Sequence, residues 1–119
     1  MKRNVVLEKS TAFAVRIVKL YQYLTREKHE YTMSEQIKRS GTSIGANVSE
    51  SQNAQSKADF IHKLNIALKE ADETLYWLEL LRKTHYLTEI EFGSMKKDAE
   101  ELVKLLTSII KTAKSNMRQ

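Results

Sequence analysis

The sequence predicts an all-α protein, an antiparallel up-down-up-down four-helix bundle, and three observations carry that reading. Apolar residues recur at helical steps of three and four over four successive stretches. The chain has no proline and only three glycines, which argues against a turn-rich β-sandwich and against flexible linkers. The predicted connections, around Glu30, Asn53 and Tyr86, are short, and short connections force consecutive helices antiparallel. A chain of 119 residues then makes one domain, 1–119. Residues 1–9 read as an N-terminal arm, and the helices fall near 10–28, 32–51, 56–85 and 88–115.

In the first helix Phe13, Ile17, Leu20 and Leu24 form the apolar line, and Ser10 is the best N-cap. The second opens on Thr32-Met33-Ser34-Glu35, a capping-box string in which the threonine hydroxyl and the glutamate serve each other's amides. Its inner line is Met33, Ile37, Gly41, Ile44 and Val48. The third starts at Ser56 with Asp59 three residues on, and its core line is Phe60, Leu64, Leu68, Ala71, Leu75 and Leu78. The fourth repeats the capping box at Thr88-Glu89-Ile90-Glu91, with Leu87 and Phe92 spaced as a hydrophobic staple. Met95, Ala99, Leu102, Leu106, Ile109 and Ala113 line its inner face.

Two helices carry more than a core requires. On the third, Ile66, Trp77 and Leu81 make a second apolar stripe, interrupted by Glu70 and Glu73. It is either a wide core face or a contact with another subunit, since a lone molecule hardly exposes Trp77 beside Leu81. Glu70 and Glu73 there would want basic partners. On the second, Gly41 and Gly45 each cost roughly 1 kcal/mol against Ala in mid-helix, so another backbone should approach closely. Gln36, Ser40, Ser43 and Asn47 form a polar ladder beside them, and Arg39, Ser43, Ala46 and Glu50 a second line. Interhelix hydrogen bonds that set register account for the ladder better than a ligand site does.

The net charge is +5, concentrated in the first 33 residues. Arg16, Lys19, Tyr23 and Arg26 share one face of the first helix, and Lys97, Lys104, Lys111 and Arg118 recur every seven residues on the fourth. Such stripes are either the solvated side of an amphipathic helix or a surface that touches phosphates. Symmetric assembly would multiply a weak stripe into a strong field.

Much chemistry is excluded. The absence of cysteine removes disulfides, zinc knuckles, iron–sulfur ligation and thiol nucleophiles. Asp59-x-x-His62 lacks the paired Glu-x-x-His motifs of a di-iron bundle, so no metal or other cofactor is expected. There is no Gly-rich phosphate loop and no nucleophile elbow. No arginine is followed by four to six residues and then a histidine, as in an all-helical ribonuclease; Arg26/His29 and Arg82/His85 are too close. No apolar run approaches the ~18 residues of a membrane span, and the N-terminal stretch is too short for a secretory signal, so a cytoplasmic protein without membrane attachment is expected.

The string Gln36-Ile37-Lys38-Arg39-Ser40-Gly41-Thr42-Ser43-Ile44-Gly45-Ala46-Asn47 is distinctive. It is followed by Asp59-Phe60-Ile61-His62-Lys63-Leu64, Ile66-Ala67-Leu68-Lys69-Glu70-Ala71 and Glu73-Thr74-Leu75-Tyr76-Trp77-Leu78. Together these resemble the four-helix-bundle family encoded within intervening sequences of bacterial 23S ribosomal RNA genes. The likeness covers residues 10–88, and the fourth helix matches in pattern alone. It implies a left-handed up-down bundle that often forms a ring-like homopentamer, without a demonstrated activity in most members. The family is also similar to the accessory protein of diversity-generating retroelements, a basic pentamer that binds nucleic acid and the reverse transcriptase. One departure is that Asn47 is followed by Val48-Ser49-Glu50-Ser51, where many members have Ile-Ala-Glu-Gly. The turn after the second helix therefore lacks its usual glycine.

The function read from all this is a non-catalytic homo-oligomeric bundle, pentameric by resemblance, whose surface meets RNA or DNA through Arg16, Lys19, Tyr23, Arg26, Lys97, Lys104 and Lys111. Its subunit-interface or packing residues are Gln36, Arg39, Gly41, Ser43, Gly45, Asn47, Glu70, Glu73, Trp77 and Leu81. The alternative is a protein–protein adaptor that binds no nucleic acid. A third reading, an enzyme using Glu50, Glu70 and Glu73 around Arg39, needs a pocket and a metal.

Overall fold

A computed structural model describes residues 4–117 as four helices: α1 (Val5–Arg26), α2 (Met33–Ser51), α3 (Lys57–Lys83) and α4 (Glu89–Met117). They run up, down, up and down in a body 51 × 26 × 21 Å. α2 packs closely on both α1 and α3, and α3 on α4, whereas α1 and α4 lie farther apart, with few close backbone approaches. Residues 1–3 and Arg118 of the basic repeat lie outside the described residues.

The first helix starts earlier than the sequence reading placed it. Asn4 is the N-cap, its side-chain oxygen accepting from the Leu7 amide at 3.1 Å, and residues 5–9 are helix rather than arm. Burial of Val6 in the core and a 2.7 Å bond from the Asn4 amide to Gln52 hold that extra turn in place. Ser10, the expected cap, is fully buried inside the helix and donates to the Leu7 carbonyl.

The expected capping box at Thr32 does not form either. Thr32 makes no side-chain cap bond. The buried carboxylate of Glu30 accepts instead from the amides of Thr32, Met33 and Ser34, at 3.2, 3.1 and 2.7 Å. A negative charge at a helix N-terminus is favoured twice, by the unpaired amides and by the dipole. Glu35, released from the cap, pairs with Lys38. The other two starts form as expected: Ser56 accepts from Asp59, and Thr88 and Glu91 serve each other's amides at 3.1 and 2.9 Å.

The turns explain two histidines and the missing glycine. His85 adopts the left-handed conformation (φ 67°), and the amides of His85 and Tyr86 then reach back to the carbonyls of Arg82 and Leu81 to close α3. His29 is left-handed as well (φ 54°), and the Glu30 amide bonds the Leu24 carbonyl. After α2 the amides of Gln52, Asn53 and Ala54 bond carbonyls three residues back, a 3₁₀-like exit that needs no positive φ and hence no glycine.

The core contains Phe13, Ile17, Leu20 and Leu24 from α1 and Ile37, Ile44 and Val48 from α2, as the periodicity predicts. On α3 the buried line is rotated from the expected one, running through Ile61, Leu64, Ala67, Ala71, Thr74, Leu78 and Leu81. Phe60, Leu68 and Leu75 flank it, partly buried. α3 packs against helices on two sides, so the small Ala67, Ala71 and Thr74 take the tightest positions and the larger residues move to the edges. On α4, Ile110 replaces Ile109 as the last buried residue of the inner face.

Gly41 and Gly45 are explained by α1. A Cβ on Gly41 would lie 2.6–2.8 Å from three side-chain atoms of the buried Ile17. One on Gly45 would lie 3.2 Å from the Ser10 carbonyl oxygen. Gly93 has open space around it. Gly41→Ala is therefore expected to destabilise the fold by about 1–3 kcal/mol in urea titrations despite its better helix propensity. Gly93→Ala should stabilise it by about 0.5–1 kcal/mol. For the cap, Glu30→Ala should cost about 1–2 kcal/mol in the same assay, and Thr32→Ala close to nothing.

Candidate functional site

The wider spacing of α1 and α4 leaves a seam bridged by charge. Arg16 reaches across to Asp98 at 2.5 Å and to the Ser94 hydroxyl at 2.9 Å, and Lys9 reaches Glu101 at 3.0 Å. Below Arg16 the seam opens into a groove of about 520 Å³. Its buried lining is Leu20, Leu87 and Met95, with Lys19, Tyr23 and the 86 % exposed Ile90 at its mouth.

These bridges sort the predicted basic residues. Arg16 is committed to Asp98 and Ser94, so it holds the bundle together rather than standing free. Lys19, Arg26, Lys97, Lys104 and Lys111 are exposed, and among the described residues none of them has an ion-pair partner. Tyr23 is half-buried, with the Lys28 ammonium 5.8 Å from its ring centre. Of the acids that interrupt the lysine series on α4, Asp98 and Glu101 are neutralised by Arg16 and Lys9 from α1, while Glu100 stays exposed between Lys97 and Lys104. The sequence could not show this sorting, because the partners are 82 and 92 residues apart.

The second group of predicted residues settles mostly into the α2–α3 boundary of a single chain. Arg39 pairs with Glu73 and lies 3.5 Å from Glu70, so the basic partner these acids want comes from α2. The polar ladder is a correction. Ser40 bonds Thr74 across the boundary at 2.9 Å, but Ser43 and Asn47 bond carbonyls of their own helix, at Arg39 and Ser43. Gln36 is half-buried alongside. Leu81 is fully buried in its own bundle, so it is a packing residue and is unavailable to a second subunit. Trp77 is half-buried, edge-on to Tyr76 at 5.0 Å, and its indole N–H has no hydrogen-bond partner among the described residues.

Glu50, grouped with Arg39 in the enzymatic reading, pairs with Lys63 at 3.5 Å. Among the described residues no three His, Asp or Glu side chains gather as a metal site. No described helix is long and apolar enough to cross a membrane.

With the bundle and its charges in place, the comparisons with known proteins are specific. The model of the 23S rRNA-intervening sequence protein family matches residues 2–108. The chain belongs to that family. The chain is also similar to a solved structure from Bacteroides thetaiotaomicron, a protein of unknown function from the S23 ribosomal protein family. The two are 61 % identical, covering 89 % of this chain and 98 % of the other, with a TM-score of 0.89. Among curated proteins none matches. Membership in the 23S rRNA-intervening sequence protein family thus comes with the four-helix fold and without an assigned reaction.

The Arg39 cluster has a pH signature. Burial pushes the Glu70 carboxyl above its ordinary range, Arg39 pulls it back, and Glu73 raises it further. The 3.5 Å approach to Arg39 does not make a hydrogen bond to the buried Glu70 Oε2, so the ion pair fails to offset the lost hydration. Ionised Glu70 therefore weakens the fold, and stability falls as pH rises from the unfolded carboxylate value through the raised folded one. Glu70→Gln should be more stable than the parent in urea at about pH 7 and equal to it at about pH 3, where both side chains are neutral. A gain that persists at the lower pH would contradict this cause.

Proposed function

We propose that this member of the 23S rRNA-intervening sequence protein family is a non-catalytic homo-oligomeric bundle that binds RNA or DNA phosphates through Lys19, Arg26, Lys97, Lys104 and Lys111. The observation that carries the reading is the sorting of charge at the α1–α4 seam. Cross-helix pairs use up Asp98 and Glu101 while the three lysines on α4 stay exposed and unpaired. An exposed cation without an internal partner releases counterions when it meets a phosphate, which is the dominant source of sequence-independent affinity. Repetition of the α4 lysines around an oligomer would add their fields. Tyr23 at the groove mouth supplies an aromatic face beside Lys19.

A protein-adaptor reading has one observation in its favour, the apolar groove between α1 and α4 with Ile90 at its mouth. A stoichiometric polypeptide that copurifies without nucleic acid would select it.

Binding of labelled RNA and DNA, followed by anisotropy, should weaken steeply between low and physiological salt. Lys97→Glu combined with Lys104→Glu should lower affinity at least about tenfold at fixed salt, consistent with loss of two phosphate contacts. Arg16→Ala, which frees Asp98 beside the lysines, should also lower affinity, and should reduce stability by about 0–1 kcal/mol, as befits an exposed ion pair. Absence of binding to any RNA or DNA at low salt would overturn the proposal.

A further inference from the structure

The groove at the α1–α4 seam is framed in a way that phosphate contacts alone do not explain. Its floor is Leu20, Leu87 and Met95, and two side chains stand at its mouth, the ring of Tyr23 and the exposed Ile90. Cations flank that ring along α1. Lys19 lies one turn before Tyr23 and Arg26 one turn after it, about 10 Å apart along the helix axis. The Lys28 ammonium sits 5.8 Å from the ring centre. Among the described residues none of these three cations has an ion-pair partner. The ring of Tyr21 also carries a lysine, Lys38 at 4.2 Å, but that lysine is paired with Glu35.

Ile90 has a matching place on α4. Counted by sevens, it heads the line that continues through Lys97, Lys104 and Lys111, each step about 10 Å further along the axis. It is the uncharged position of that series, and it is the one that borders the groove. Two acids lie nearby. The Glu91 carboxylate accepts from the Thr88 amide at 2.9 Å, and Glu27 ends α1 between Arg26 and Lys28. Cations still outnumber acids around the mouth.

The geometry points to single-stranded nucleic acid as the ligand class, with one unpaired base seated between Tyr23 and Ile90 and the neighbouring phosphates on Lys19, Arg26 and Lys97. This rests on the nucleic-acid part of the reading above and goes beyond it, since lysines alone do not tell one strand from two. Bases in a duplex are stacked on one another and offer a protein only their edges. An unpaired base offers its face to an aromatic ring, and that contact tolerates any sequence because every base has such a face. The positive rim favours a polyanion over a neutral apolar peptide, and an aromatic platform set among cations is what a single strand needs.

The test is anisotropy of the full chain with a labelled single strand, of RNA or of DNA, and with the duplex of the same sequence and length, at one low salt concentration. A duplex carries more phosphate charge per unit length, so lysines alone would hold it at least as tightly. The single strand should instead bind at least about fivefold more tightly, the effect of one stacked base. Tyr23→Ala should remove that preference and leave duplex affinity unchanged. Ile90→Ser should reduce it as well, and this variant decides should Tyr23→Ala lose its helical circular dichroism, because the Ile90 side chain is exposed. Equal affinity of the parent for single strand and duplex would overturn the base seat and leave the phosphate reading standing. Absence of binding to either would overturn both. An undiminished preference in Ile90→Ser would overturn the assignment of the groove. If that variant instead shows a lower mass by light scattering, or loses a copurifying polypeptide, the groove belongs to a second copy or to a protein partner.

Discussion

The architecture depends on how closely α2 approaches α1. At Gly41 the Ile17 side chain occupies the space a methyl group would need, and at Gly45 the α1 backbone itself does so at Ser10. Two glycines in mid-helix cost helix stability, and that cost is offset by bringing Ile17, Ile37, Ile44 and Val48 into one core. On the other side of α2 the hydroxyls of Ser40 and Thr74 bond each other, again between small residues at short range. α2 is thereby gripped from two sides, and α1 is drawn toward it. The consequence falls on the far seam: α1 and α4 meet sparingly, and long charged side chains span the gap over the buried Phe13 and Leu102.

That asymmetry decides the surface chemistry. Had α1 and α4 packed as closely as α1 and α2, Arg16 and Lys9 would have no reason to cross a seam, and the acids of α4 would lie among its lysines unneutralised. Instead each bridge removes one acid and one cation together. What is left exposed on the outer side of α4 is an excess of positive charge, Lys97, Lys104 and Lys111 against Glu100, even though its residues 89–117 hold equal numbers of acidic and basic residues. Local charge, and not the net count along the helix, sets what a phosphate would meet.

The helices were legible in the sequence because their apolar periodicity and two of their caps act locally. Thr88 with Glu91 and Ser56 with Asp59 find partners three residues away. Thr32 carries the same string and fails, because Glu30 can reach the same amides with a full negative charge and is buried while doing so. Ser10 fails as a cap for a related reason: burying Val6 is worth more than ending the helix at a serine whose hydroxyl is satisfied inside it. The stripe that contains Leu81 fits either a wide core face or a subunit contact on sequence alone, and Leu81 is core because α3 packs against two helices. The basic stripes were visible as well. Which of their members were free was not, since that depends on pairs closed by the tertiary fold.

The faces of α1 and α4 now divide the work between them. α1 spends its inner side on the core and the side facing α4 on ion pairs. α4 spends its outer side on lysines that outnumber the one exposed acid between them, Glu100. The two helices differ because α1 is held against α2 while α4 meets α1 sparingly, so the cross-helix pairs form at the α1–α4 seam and take acids from α4 rather than cations.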